Sequence, residues 1–133
     1  MEISVTLEPR LYIIMRRDIP DMNPGKAMAQ AAHAQADFES YLEFWSDDNE
    51  LQAQYDAWKK ELKFGVTTVL CATWDEMREI SSNTTHAGYT VDPTYPWRNF
   101  YGEMFTSMQT TCMWAFVYDA DEFELMKQFK LHE

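Results

Sequence analysis

The chain has 133 residues, enough for a single domain over 1–133 with a sizeable buried core. Its 46% hydrophobic and 15% aromatic content excludes a disordered chain, and no run of about 18 uncharged apolar residues exists to cross a membrane. The formal net charge is −11, from 22 acidic and 11 basic residues, which argues against a broad nucleic-acid footprint built of Lys and Arg. The opening MEISVTLEPR has no basic stretch followed by an apolar one. It does not read as a secretory signal, so a cytoplasmic location is expected.

LYIIM, residues 11–15, is a short apolar run and reads as a buried strand. A charged turn follows, carrying Arg16, Arg17, Asp18 and two prolines, and a helix opens at Gly25-Lys26. The first N–H groups of a helix have no internal partner and its dipole favours negative charge there. With Lys26 adding a full positive charge, this strand-turn-helix is expected to hold an anion. Ala27, Ala31, Ala34, Phe38, Tyr41 and Trp45 form an apolar stripe, and Lys26, Gln30, His33 and Asp37 form a polar edge beside it.

Residues 46–63 read as a second helix, capped at Ser46 to Asp48 and ended by Gly65. VTTVLCA, 66–72, is a β-branched strand. Thr73 and Glu76 make a capping box for a helix with Met77 and Ile80 inward, ended at His86-Ala87-Gly88. A short strand at Tyr89 to Val91 follows. Residues 92–108 then read as a long loop with Pro93, Pro96, Trp97, Phe100 and Tyr101, a length that tends to mark function. TTCMWAFVY, 110–118, is the clearest strand. Asp121 with Glu124 is expected to cap a last short helix, and Phe129 to Leu131 close the chain. This order predicts an α/β sandwich, a four-stranded mixed sheet flanked by helices. Cys71 and Cys112 both fall in strands and read as reduced, buried thiols. The three histidines are scattered, so the spacing gives no metal site, and no metal or cofactor is expected.

The segment RRDIPDMNPGKAMAQAAHA resembles the signature of the type 2 peptidyl-tRNA hydrolases, the archaeal and eukaryotic kind. That signature is an apolar strand, an Arg-x-Asp-Leu turn, a Met, a Gly-Lys pair and an Ala-Gln-x-x-His-Ala helix. Arg16, Asp18, Ile19, Met22, Gly25, Lys26, Ala29, Gln30, His33 and Ala34 fall on it, with one extra residue between Asp18 and Met22. Gly88-Tyr89, Thr110 or Thr111, and Phe129-Lys130-Leu131 look like later landmarks of the family. The family's Asp-Ala-Gly-x-Thr segment, whose Asp is implicated in catalysis, has no counterpart between Gly88 and Thr110. Asp92 and Glu103 are the nearby carboxylates available in its place.

The resemblance implies the type 2 peptidyl-tRNA hydrolase fold and hydrolysis of the ester between a peptide, or an N-blocked amino acid, and the tRNA 3′ end. It implies Lys26 as electrostatic stabiliser or phosphate contact. It implies Thr111 or Thr110 as the hydroxyl that orients water or ribose, and Asp92 or Glu103 as the base. Arg16 and Arg17 would meet phosphates, and Asp18 would orient Lys26 or cap the turn. Gly25, Gln30 and His33 would line the substrate side. Outside the resemblance, the aromatic segment suits the unpaired bases of a tRNA end as well as it suits core covering, with Trp97 and Arg98 as its candidate substrate contacts. Family members often pair, so a homodimer is an expectation. Plainer roles stand beside these: His33 bonding nearby backbone, Arg16 paired with Asp18, the aromatic segment covering core. Two other functions remain open at this point. One is a catalytically inactive member of the fold that binds tRNA or a protein. The other is a small interaction protein engaging a basic partner through Asp47 to Glu50.

Overall fold

A computed structural model describes residues 8–60 and 65–132. The end of the expected second helix, residues 61–63, lies outside the described residues. The elements in chain order are β1 (Arg10–Arg16), α1 (Pro24–Ser40), a π-helical segment (Tyr41–Trp45), α2 (Asn49–Lys60), β2 (Thr67–Ala72), α3 (Trp74–Asn83), β3 (Ala87–Arg98), β4 (Met104–Val117), α4 (Ala120–Met126) and β5 (Lys130–Leu131). They build one mixed sheet in the order β3-β4-β1-β2-β5, with β1 and β2 parallel and every other pair antiparallel. The expected α/β sandwich is present, but with five strands rather than four. The closing residues pair with β2, Leu70 opposite Leu131 and Cys71 opposite Lys130. Two residues are too few to show a periodicity, so pairing alone makes them a strand. No helix among the described residues is long and apolar enough to cross a membrane.

Alternation along the central strands divides the core into two layers. Leu11, Ile13 and Met15 of β1 pack with Cys112, Trp114 and Phe116 of β4 against α1 and α2. Tyr12, Ile14, Met113, Ala115 and Val117 face α3 and α4, meeting Met77, Ile80 and Met126. Phe38 of α1 is fully buried at the centre of the first layer, 5.0 Å from the Phe116 ring and 5.1 Å from Trp114. Gly88 lies opposite Trp114, and a Cβ there would come within 2.7 Å of the indole nitrogen, so only glycine lets Trp114 cross β3. Gly65 has φ +76°, which favours glycine, and a Cβ would strike the Trp58 ring at 2.1 Å.

Several local expectations shift. The helical stripe loses Trp45, which is 82% exposed, because the backbone passes into the π-helical segment after Ser40 and the spacing changes. Asp48 caps α2 by accepting from the N–H groups of Glu50 and Leu51. The Thr73–Glu76 capping box is present, but α3 ends at Asn83, and Ala87-Gly88 already belong to β3. Asp119, not Asp121, caps α4. The largest revision concerns the presumed loop. Most of residues 92–108 lie in β3 and β4, joined by a tight turn at 99–103 with Gly102 at φ +81°. Its prolines mask it: Pro93 sits where the register shifts between Asp92 and Tyr95, a place where a missing N–H costs little. Trp97 opposes Phe105, and the two rings stack at 5.2 Å.

Candidate active site

The turn after β1 is tied down by its own polar groups. Arg16 donates from Nε to Asp18 at 2.8 Å and from Nη1 to the Thr110 carbonyl at 3.3 Å, and its guanidinium lies over Trp74. Asp18 also accepts from the Trp74 N–H, at the start of α3. Burial works to raise the Asp18 carboxyl, but Arg16 and that N–H outweigh it and hold it below the usual value. Arg17 is exposed and pairs with Glu76 at 3.1 Å. Asp21 has positive φ and accepts from the Arg98 N–H. Tyr95, fully buried, donates to the Pro20 carbonyl at 2.6 Å. Burial, with the nearby Asp21 and Asp92 carboxylates, pushes its phenol up to about 12, which keeps it a donor.

The start of α1 departs from the expected anion cradle. Asn23 caps the helix by accepting from the Lys26 N–H at 2.9 Å, and Pro24 has no N–H to offer. Of the first three helical residues, only Gly25 keeps a free donor. A Cβ on Gly25 would meet just the Asn23 side chain, at 3.5 Å, so neither φ nor packing demands the glycine. The Lys26 ammonium does not rest on the helix terminus. It donates to the Pro96 carbonyl at 2.8 Å and sits 5.3 Å from the Tyr95 ring centre.

The polar edge read from the α1 spacing becomes a seam against β3. Lys26 meets Pro96, Gln30 donates to Asp92 Oδ2 at 2.8 Å, and Thr90 donates to Asp37 at 2.8 Å. The helix runs from 26 to 37 while the strand is met from 96 to 90. Gln30 is the hub of this seam. It is 5% exposed, and its Oε1 accepts from Thr111 Oγ1 at 2.7 Å. A β-bulge brings Thr111 there. Val91 pairs with Thr110 and Thr90 with Cys112, so Thr111 is the extra residue of β4. Its hydroxyl therefore lies on the α1 side together with Cys112, whose thiol meets the Gln30 carbonyl at 3.4 Å. Burial pushes that thiol up to about 11, so it is no nucleophile. Asp92 is further fixed by the Thr94 N–H, which donates to Oδ1 at 2.9 Å.

The other expected site residues divide by place. Glu103 bonds Asn99 through both its N–H and its carboxylate, closing the β3–β4 turn. Arg98 donates to the Gly102 carbonyl in the same turn, and Trp97 donates to Ser107 while stacked on Phe105. Thr110 contributes its carbonyl to Arg16. His33 is exposed beside a groove of about 290 Å³ that Asp37, Thr90 and Asp92 also line. Sequence reasoning missed Thr90, Thr94 and Tyr95 as site-forming residues, since all lay in or beside the presumed loop. Asp37 was on the polar edge but had no visible partner. Among the described residues no three His, Cys, Asp or Glu side chains converge as a metal cluster.

Lys26 at the start of α1 thus meets the β3 backbone, and one turn further on Gln30 joins the Thr111 hydroxyl to the Asp92 carboxylate. The family model described as Peptidyl-tRNA hydrolase PTH2 matches residues 10–127, from the first residue of β1 to just past α4. The chain belongs to the type 2 peptidyl-tRNA hydrolase family. The match carries the family's function, peptidyl-tRNA hydrolysis, and its substrate class. A comparison with curated proteins finds no match. In this family member Asp92 is the carboxylate that stands against Gln30 and lines the groove beside His33.

Proposed function

We propose that Lys26, Asp92 and Thr111 carry out the hydrolysis of the ester joining a peptide to the 3′ ribose of tRNA. The observation that supports this reading is the convergence of all three on the α1–β3 seam. Lys26 and Gln30 lie one helical turn apart, and Gln30 bonds both Asp92 and Thr111. Asp92 accepts a proton from water as the water oxygen bonds to the ester carbonyl carbon. The carbonyl oxygen gains negative charge, which the Lys26 ammonium stabilises. The bond from that carbon to the ribose oxygen then breaks, the proton passes to the leaving ribose oxygen, and the peptide carboxylate departs. Thr111, fully buried behind Gln30, holds the amide that in turn holds Asp92. Arg16 at the end of β1 and the exposed Arg17 after it suit phosphates, and Trp97 suits an unpaired base.

The experiment is cleavage of N-blocked aminoacyl-tRNA by the unmodified protein and by Lys26→Ala. Release of the blocked amino acid is expected. Lys26→Ala is expected to lower kcat/KM at least about tenfold, on the order of 1.4 kcal/mol or more. Absence of turnover at micromolar enzyme refutes hydrolysis. Binding of uncharged tRNA that weakens as salt rises would then leave a tRNA-binding role. The family's role in translation supports a cytoplasmic location, and sedimentation at micromolar concentration tests the homodimer that the resemblance implies.

A further inference from the structure

We propose that Gln30 is the positioning residue of the site: its side-chain amide sets which way protons point between Thr111 and Asp92. This rests on the hydrolytic reading above. An amide side chain has one end that only accepts and one that only donates. A carboxylate only accepts, so the end of Gln30 that meets Asp92 Oδ2 at 2.8 Å is Nε2. The end facing Thr111 is then Oε1, and the 2.7 Å contact there requires Thr111 to donate. The hydroxyl has one proton, and it is used on Gln30. The other groups within reach of Thr111 Oγ1 are the Thr90 carbonyl at 3.5 Å and the Cys112 thiol at 3.8 Å, both long.

Thr111 is fully buried, so it stands behind Gln30 as the donor that fixes the amide. Its one proton is spent there, so it does not donate to an oxyanion. That task falls to Lys26. Asp92 is held at both oxygens, by Gln30 on Oδ2 and by the Thr94 N–H on Oδ1, and keeps lone pairs for the proton of the attacking water. Asp92 is thus set as the acceptor that base-assisted attack requires. The amide has little freedom to turn over, because Gln30 is 5% exposed and both ends of its amide are bonded. Reversal would set the amide oxygen against the carboxylate, two acceptors facing each other.

The test compares Gln30→Glu and Gln30→Met with the unmodified protein in the cleavage assay across pH. A carboxyl at position 30 faces a second carboxylate, and such a pair shares one proton at low pH. With that proton the acid mimics the amide, donating to Asp92 and accepting from Thr111. Without it the two carboxylates repel. Activity of Gln30→Glu relative to the unmodified protein is expected to fall at least about tenfold as pH rises from about 5.5 to about 8. Gln30→Met should be low throughout, with a flat ratio and with kcat lost while KM stays within about threefold. A flat ratio for Gln30→Glu, or a loss confined to KM, overturns the proposal. If Gln30→Glu does not fold, the Gln30→Met and Thr111→Val pair decides. Losses that are far from additive support one connected unit, and additive losses overturn it. If the unmodified protein does not turn over, hydrolysis itself fails. The positioning claim is then read from the carboxyl carbon of Asp92 by nuclear magnetic resonance, whose titration midpoint should rise by about one unit or more in Gln30→Glu. An unmoved midpoint refutes it.

Discussion

Glu122→Gln should remove one pH-dependent contribution to stability, and the site gives its sign. Glu122 is 8% exposed at the start of α4. Its carboxyl accepts from the Thr85 N–H at 3.2 Å and the Thr85 hydroxyl at 3.3 Å, yet burial, reinforced by Asp119, pushes it up to about 7 from an ordinary 4.5. The folded protein therefore binds a proton more tightly than the unfolded chain. The stabilisation is complete below about pH 4.5 and is lost as pH rises through about 7. A shift of that size is worth on the order of 3 kcal/mol. Asp119 is moved the other way, held low by its hydrogen bonds with Glu122, and acts below this window. His86 opposes Glu122: burial lowers its ring, so its contribution grows as pH rises toward 6.5. The unmodified protein alone sums these effects, and the difference from Glu122→Gln isolates one. Urea unfolding at about pH 5 and about pH 8 is the assay. The two proteins should be of similar stability at the lower pH, with Glu122→Gln more stable by on the order of 2–3 kcal/mol at the higher. A difference that stays constant between the two pH values refutes the reasoning.

Phe38→Ala removes the ring at the centre of the α1–α2 layer, where it lies 5.9 Å from Tyr55 and 6.0 Å from Trp58 as well as against Phe116 and Trp114. It should cost about 3–5 kcal/mol by urea midpoint, and a loss under about 1 kcal/mol would mean the layer closes over the gap. Asn23→Ala removes the acceptor of the Lys26 N–H and should cost about 1 kcal/mol of stability. A neutral result in thermal melting would show that water replaces the cap. The tRNA affinity of the unmodified protein should fall with salt, by a slope of about 0.7–0.9 per phosphate contacted in a log–log plot. A slope near zero would remove the phosphate role of Arg16 and Arg17.

Much of the site was legible because helical spacing is local. Lys26, Gln30, His33 and Asp37 share an edge by the 3.6-residue repeat alone, and the structure uses three of them as rungs to β3. Their partners were hidden for an equally physical reason. Pro93 and Pro96 break the alternation that marks a strand, so residues 92–98 looked like loop although they pair with 104–109. Asp92 and Glu103 were equal candidates in sequence. The register separates them, one against Gln30 and the other closing the hairpin turn. Thr110 and Thr111 were likewise equal until the bulge turned Thr111 toward α1 and left Thr110 to serve Arg16 through its carbonyl.

The sequence by itself determined the strand-turn-helix at Arg16 to Phe38, the α/β plan of a mixed sheet flanked by helices and the family signature, since each rests on repeats and turn residues a few positions apart. It did not determine what the Gly-Lys start would hold. Asn23 takes up the Lys26 N–H, Pro24 has none to give, and the Lys26 ammonium turns to β3 instead. Only the tertiary structure decided which carboxylate and which hydroxyl meet Gln30. Those residues lie 62 and 81 positions away in the chain, and sheet register and a single extra residue in β4 bring them together.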